Sequence, residues 1–264
     1  MEANELMHAN EVVPSAVTVD TARAYDVEAR RQRADRILNV AADLLQRWGY
    51  KRLTMDDVAA QADIGKGTIY QHWKTREALF QAVLERELAA LILDLDAAVR
   101  SDPSNALPHR MGRLYYVSIM ERPILRALFT LNLDVLGKLT RFHTVHESQL
   151  NTLRHAFIEM LQEHGVVRAD IPPRDLAYAF RTIILGFFLT EPLFSDDQPD
   201  IERKADLLAL TLKGAFGLHD RPPQAVLRRL AEQVHALMTK ALEQESFQMA
   251  AFLPGATDEA SAAG

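Results

Sequence analysis

The stretch LTMDDVAAQADIGKGTIYQHWKTREALFQAVLE, residues 53–85, decides the fold of this chain. Thr54 opens a short helix, and Asp57 stands where a side chain can return a hydrogen bond to the cap. Asp63 begins a tight turn, because Asp tolerates the positive φ that such a turn requires. A second short helix, Lys66–Trp73, follows the turn. Two short helices joined in this way predict a helix-turn-helix, whose second helix can enter the DNA major groove.

The second short helix has one apolar side and one polar side. At about 100° per residue, Ile69 and Trp73 point inward together, while Gly67, Thr68 and Gln71 point outward. Gln can pair with an adenine edge, Thr can contact a base or a thymine methyl, and lysines at the helix ends suit phosphates. An αα-corner of an ordinary helical protein has similar packing, so this pattern alone leaves both interpretations open.

The rest of the chain has apolar residues at helical spacing, without the alternating pattern of strands. A first helix begins between Thr21 and Arg33 and stops at Gly49, and Thr75 caps a long helix that runs to about Arg100. Further helices are expected near residues 106–120, 122–137, 138–164, 174–194, 200–217 and 223–246.

These patterns predict an all-α protein: an N-terminal three-helix domain with a helix-turn-helix, followed by a longer all-α domain. The predicted divisions are a disordered tail (1–25), the helix-turn-helix domain (26–80), the second all-α domain (81–246) and a second disordered tail (247–264).

The composition excludes several classes of protein. The 264 residues contain no cysteine, which removes disulfides and thiolate chemistry and suits a reducing cytoplasm. The N-terminal residues lack the order of a secretion signal, and no apolar run is long enough to cross a membrane. The net charge of the whole chain is −6, but residues 22–90 hold 12 basic and 10 acidic residues. The segment that contains the helix-turn-helix is therefore more basic than the rest of the chain. We therefore expect a cytoplasmic protein without a membrane partner.

An enzyme is not expected from these residues. There is no glycine-rich phosphate loop and no Gly-x-Ser-x-Gly elbow. His143 and His146 lie on one helical face beside Glu147, as zinc ligands could, but their spacing differs from that of metalloproteases. We predict no catalytic residue, no metal and no cofactor.

Residues 53–85 resemble the N-terminal signature of tetracycline-repressor-like (TetR) transcriptional regulators. The run Lys66–Tyr70, the aromatic Trp73 and the run Arg76–Leu79 match that signature. Asp63 and Gly65 depart from it, since the family usually has Gly and then Ser or Thr there, and Gly is a weaker helix cap than Ser. The resemblance implies a homodimer that binds a double-stranded DNA operator. The DNA-binding residues that it implies are Thr54, Lys66, Gly67, Thr68, Tyr70, Gln71, His72, Lys74 and Arg76.

Among these residues, the resemblance assigns phosphates to Thr54, Tyr70, His72, Lys74 and Arg76, and bases to Lys66, Thr68 and Gln71. Arg33, Lys51 and Arg52 are further candidates for backbone contacts.

The same resemblance implies that residues 26–80 form a three-helix DNA-binding domain. It also implies that residues 81–246 form an all-α regulatory, ligand-binding and dimerisation domain, with a small-molecule pocket and a dimer interface. The predicted ligand-binding residues are polar positions that interrupt apolar faces, namely Tyr115, Tyr116, Asn132, His143, His146, Tyr178 and Arg181. The predicted dimer interface consists of apolar stripes on two helices, namely Phe180, Ile184, Phe187, Phe188, Leu208, Leu212 and Phe216. Those stripes could instead be buried within one subunit.

The function that follows is a ligand-responsive transcriptional repressor, released from a palindromic operator by a small apolar effector. The alternative is a helical ligand-binding or interaction protein that does not bind DNA specifically. The retained Lys66, Tyr70, Lys74 and Arg76 argue against that alternative.

Overall fold

The computed structural model describes residues 16–132, 135, 140–193, 199–217 and 222–252. Within these ranges the chain forms ten α-helices and no strand, which confirms the predicted all-α fold class. In chain order they are α1 (Ala16–Arg52), α2 (Met55–Gln61), α3 (Lys66–His72), α4 (Arg76–Ser101), α5 (Pro108–Met120), α6 (Pro123–Phe129), α7 (Thr140–Glu163), α8 (Pro173–Leu189), α9 (Ile201–Phe216) and α10 (Gln224–Phe252). No helix in the described ranges combines the length and apolar character that a bilayer span requires.

The two terminal helices extend further than the apolar pattern indicated. Helix α1 begins at Ala16, inside the segment expected to be a disordered tail. The residues between Ala16 and Arg33 show no clear apolar stripe, but they contain no glycine or proline and are rich in helix-forming Ala and Arg. Helix α10 likewise continues past residue 246 to Phe252. Residues 1–15 and 253–264 of the predicted tails lie outside the described residues.

The end of the first helix and the helix-turn-helix follow from local backbone chemistry. Gly49 has a φ of 71°, which interrupts α1 where a stop was predicted. The Thr54 hydroxyl accepts a hydrogen bond from the Asp57 amide at 3.2 Å, and the Asp57 carboxylate accepts one from the Thr54 amide at 2.9 Å. This capping box lowers the pKa of Asp57, chiefly through the Thr54 hydroxyl. Asp63 has a φ of 52°, as the turn requires.

Helix α4 connects the DNA-binding domain to the rest of the molecule. The Thr75 hydroxyl caps it by accepting a hydrogen bond from the Ala78 amide at 3.0 Å. Its 26 residues give it a length of about 39 Å. It packs against α1 on one side and against α5, α6 and α10 of the second domain. Helix α4 therefore leads from the second domain to the helix-turn-helix.

The second domain is built around aromatic side chains. Tyr116 stacks on Phe188 with ring centroids 5.0 Å apart, and Phe180 meets Phe216 edge to face at 5.7 Å. Helix α9 packs along α5, where Gly112 leaves room for the side chain of Leu212. Helix α6 ends at Phe129, earlier than predicted. The aromatic cluster thus joins α5, α8 and α9 into one core.

Candidate functional site

The exposed side of α3 carries the three residues that were predicted to point outward. Ile69 and Trp73 are buried, which confirms the predicted inward direction of their side of the helix. Gly67 and Gln71 are exposed, and Thr68 is partly exposed. We call Gly67, Thr68 and Gln71 the reading face. Because these residues are open to solvent, nothing in the described chain covers this face.

Cationic side chains flank the reading face at both ends of α3. Lys66 Nζ lies 2.8 Å from Asp56 Oδ2, and this hydrogen bond raises the pKa of the lysine. Both side chains are exposed, so the pair contributes little to stability. Lys74 is exposed beyond the other end. Tyr70, which was predicted to contact a phosphate, is exposed on the same helix. Thr54, predicted for the same role, uses its hydroxyl in the capping box of α2.

His72 is buried, so its side chain is not placed for the phosphate contact that was predicted. Its side chain is 2% exposed and packs against Trp73, with ring centroids 5.3 Å apart. Burial lowers its pKa, and the nearby guanidinium groups of Arg30 and Arg33 lower it further. His72 Nδ1 has no hydrogen-bond partner among the described residues. A neutral, buried ring belongs to the core of the DNA-binding domain.

The Arg76 side chain is engaged inside the domain, and its predicted phosphate contact stays a prediction. Its guanidinium lies 4.2 Å from the ring centroid of Tyr50 and donates a hydrogen bond to the Leu53 carbonyl at 2.9 Å. The Tyr50 hydroxyl donates in turn to the Glu77 carboxylate at 2.8 Å. These contacts fasten the end of α1 to the start of α4. Arg76 therefore holds the scaffold that carries the reading face.

The second domain contains a cavity of about 180 Å³ among helices α4–α8 and α10. Tyr115 and Arg181, both predicted as ligand-binding residues, line it. Arg154 of α7 also lines it and was missed, since it lies on a helix whose polar face gave no reason to single it out. The α10 residues Val234 and Leu237 close one side of the cavity.

The other predicted ligand-binding residues do not line this cavity. Tyr116 is buried and its hydroxyl donates to Glu191, and burial together with this hydrogen bond raises its pKa. Asn132 lines a separate cavity of about 400 Å³ beside Glu191. Tyr178 is 63% exposed on the outside of α8. The side chains of His143 and His146 lie outside the described residues.

Comparison with known proteins identifies the family. The model for bacterial regulatory proteins of the tetR family matches residues 37–83. The HTH-type transcriptional regulator Rv1556 of Mycobacterium tuberculosis is 40% identical over 188 residues, which cover 70% of this chain and 88% of that protein. The chain belongs to the TetR family. A TetR-family regulator from Mesorhizobium loti has the same fold, with a TM-score of 0.53, 19% identity and coverage of 70% of this chain and 97% of its own.

A second solved structure of the TetR fold is that of NalD, the secondary repressor of the MexAB-OprM multidrug efflux pump in Pseudomonas aeruginosa. It matches with a TM-score of 0.52 and 18% identity, over 74% of this chain and 100% of NalD. TetR-family proteins are helix-turn-helix transcription regulators that bind DNA as dimers and bind small-molecule ligands.

Six of the seven residues predicted for the dimer interface of this TetR-family chain are buried within one subunit, which is the alternative that the sequence left open. The seventh, Phe187, is only partly buried. Its ring lies edge-on to the ring of Tyr116, and the two ring centroids are 6.2 Å apart. The other six form the core of one subunit, because their side chains fill the space between α5, α8 and α9. These buried residues are Phe180, Ile184, Phe188, Leu208, Leu212 and Phe216.

The same two helices carry a different, exposed apolar surface. Tyr178 and Leu189 of α8 and Leu210 of α9 are exposed, and Leu210 reaches 67%. Gly186 and Gly214 lie on the same helices, and an added Cβ at either would meet nothing within the described chain. We call these five residues the seam face. Small and apolar residues on exposed helices allow two helices to approach closely.

No group of three His, Asp or Glu side chains in the described part of the chain lies close enough together to hold a metal ion.

Proposed function

We propose that this TetR-family chain is a ligand-responsive repressor that binds a palindromic operator as a homodimer. The proposal assigns DNA binding to residues 26–80 and assigns ligand binding and dimerisation to residues 81–246. The observation that carries it is the uncovered reading face on α3, held by a capped and closely packed helix-turn-helix. NalD, which shares the fold, is a repressor, and this supports repression rather than activation as the proposed role of this chain.

The reading face supplies the groups that major-groove recognition needs. The Gln71 amide contains both a donor and an acceptor, so it can form two hydrogen bonds with the edge of one adenine. Thr68 offers a hydroxyl and a methyl, while Gly67 has no side chain to hold the helix away from the bases. Lys74 provides a phosphate contact beyond one end of the helix, and Lys66 offers a donor to a base at the other end. These groups are arranged for sequence-specific binding rather than for a charged surface alone.

Two copies joined through the seam face would present two reading faces to one side of the DNA. Successive major grooves on one face of B-DNA have centres about 34 Å apart, which a two-fold dimer can match. A closed two-fold interface uses the same surface on both copies. The exposed leucines and the open glycines of the seam face suit such self-association.

The cavity supports a ligand-controlled change in DNA binding. Ile92 and Leu95 of α4 line it, so an effector would touch the helix that leads to the helix-turn-helix. Helix α10, on the opposite side, is joined to α4 by a contact of 2.6 Å between His235 Nδ1 and Asp96 Oδ1. A cavity of about 150 Å³ holds a benzene molecule, so about 180 Å³ suits a small effector. A tenfold loss of DNA affinity requires the effector to favour the released state by about 1.4 kcal/mol.

Selection of bound DNA from a random duplex library tests the proposal. The wild type should enrich a palindromic sequence, and Gln71→Ala should enrich a pattern that has lost its preference at one base pair of each half. Gln61→Ala is the matched control, because it removes an exposed glutamine from α2, outside the reading face, and should leave the enriched sequence unchanged. If the wild type enriches no sequence, the chain is instead a helical ligand-binding or interaction protein.

A further inference from the structure

The wall of the cavity has an unusual charge distribution. Of the 17 described residues that line it, only Arg154 and Arg181 are charged, and no carboxylate is among them. The remaining lining is aliphatic or aromatic, apart from the Tyr115 hydroxyl. Arg154 is on α7 and Arg181 is on α8, and these two helices pack against each other. The cavity therefore combines an apolar interior with two positive charges from one side.

The side chains of these two arginines are suited to hold an anion. Both are partly buried, and a guanidinium in apolar surroundings is stabilised by a negative partner. Each guanidinium has five N–H donors, so it can bind a carboxylate in addition to the contacts it already makes. Because these donors lie in one plane, a guanidinium can donate two parallel hydrogen bonds to the two oxygens of a carboxylate. A neutral ligand would gain much less from the two positive charges.

The position of Tyr178 indicates how such a ligand would be oriented. The Arg181 guanidinium lies 5.7 Å from the centroid of the Tyr178 ring, and Tyr178 is mostly exposed. The charged end of Arg181 is therefore near the outer rim of α8. Phe129 and Phe157 line the cavity from α6 and α7. The head group of a ligand would meet Arg181 at the rim, and its apolar part would extend inward.

We propose that the cavity binds an amphipathic organic acid, with its carboxylate at Arg154 and Arg181 and its apolar body among the lining side chains. This inference rests on the proposed function, since it names the chemical class of the effector. The small volume of the cavity favours a single ring or a short alkyl chain.

Calorimetric titration with three probes of equal chain length tests the charge preference. At a pH of about 7.5, octanoate is negative, 1-octanol is neutral and octylamine is positive. Octanoate should bind at least about tenfold more tightly than 1-octanol, which corresponds to about 1.4 kcal/mol, and octylamine should bind most weakly. Equal affinities for octanoate and 1-octanol, a preference for octylamine, or no binding of any probe at millimolar concentration would each overturn the proposal.

Variants connect the preference to the two arginines. Arg154→Met and Arg181→Met keep much of the side-chain length while removing charge, so each should reduce the ratio of octanoate to octanol affinity severalfold. Arg174→Met is the matched control, because Arg174 is exposed on α8 and does not line the cavity. An unchanged ratio in both single variants contradicts the assignment. Thermal melting of each variant identifies any loss of folding, and the wild-type probe series decides the ligand class regardless.

Operator binding in the presence of each probe separates this inference from the proposed function. If octanoate binds preferentially but leaves operator affinity unchanged, the acid site stands and the repressor release mechanism fails. If 1-octanol releases the operator as effectively as octanoate, the release mechanism stands and the acid preference fails.

Discussion

Replacing Arg76 separates a scaffold role from a phosphate contact. The structure gives its guanidinium a hydrogen bond to the Leu53 carbonyl and a position over the Tyr50 ring. A hydrogen bond to a charged group contributes about 1.5–3 kcal/mol, and a cation–π contact at an exposed site contributes about 0.5–1 kcal/mol. The Arg76 side chain is 29% exposed, so we take the lower values. Arg76→Ala should then destabilise the DNA-binding domain by about 2 kcal/mol.

The assay is urea unfolding followed by tryptophan fluorescence. The chain contains two tryptophans, Trp48 and Trp73, and both lie in the DNA-binding domain, so the signal reports on that domain. Arg76→Lys keeps the positive charge but loses the planar stacking surface and the fork of donors. It should recover less than half of the lost stability. Full recovery by lysine would show that charge alone matters and would refute the scaffold role.

The salt dependence of DNA binding gives a second measurement. Each phosphate contact contributes about −0.9 to the slope of log K against log salt, so losing one contact per subunit changes the slope of a dimer by about 2. Lys74→Ala should produce this change without altering stability, because Lys74 is exposed. Arg76→Ala should leave the slope unchanged. A loss of slope in Arg76→Ala equal to that in Lys74→Ala would contradict our account.

Three further predictions concern recognition, pH and assembly. Gln71→Ala should cost roughly 1–3 kcal/mol at one base pair of each half-site in competition binding, and equal losses on operator and random DNA would argue against base reading. Burial holds the pKa of His72 below its ordinary value of 6.5, so the unfolded state takes up the proton first and stability falls as the pH drops below that value. His72→Gln should reduce that fall in urea titrations between about pH 7 and pH 5, and an identical pH dependence would contradict it. Leu210→Glu should sediment as a monomer, because it places a charge in the seam face. The control Leu93→Glu adds the same charge on the exposed side of α4 and should stay dimeric. If Leu210→Glu is still a dimer, the dimer interface lies outside the seam face.

The helix-turn-helix could be predicted because it depends on neighbours in the sequence. The Thr54 cap, the positive φ of Asp63 and the inward direction of Ile69 each follow from rules that act over a few residues. The burial of His72 and the internal contacts of Arg76 could not be predicted, because both environments are tertiary. Arg76 meets the backbone at Leu53, 23 positions earlier, and no local pattern specifies that contact.

The second domain shows the same limit for apolar residues. Helical periodicity correctly marks Phe180 and Leu212 as facing something apolar, but it does not distinguish the core of one subunit from a partner. The exposed Leu210 gave no comparable signal, since single exposed leucines are ordinary. Arg181 could be singled out because a polar group there interrupts an apolar face. Arg154 was missed because the cavity forms only when α7 and α8 come together.

The measurement that tests the central claim most directly is hydroxyl-radical footprinting of the wild type on DNA selected from the random library. We predict two protected segments on one face of the duplex, related by a two-fold axis and centred about one helical turn apart. A single protected segment, or uniform protection that disappears with salt and has no preferred sequence, would contradict the account of a dimer that reads its operator through α3.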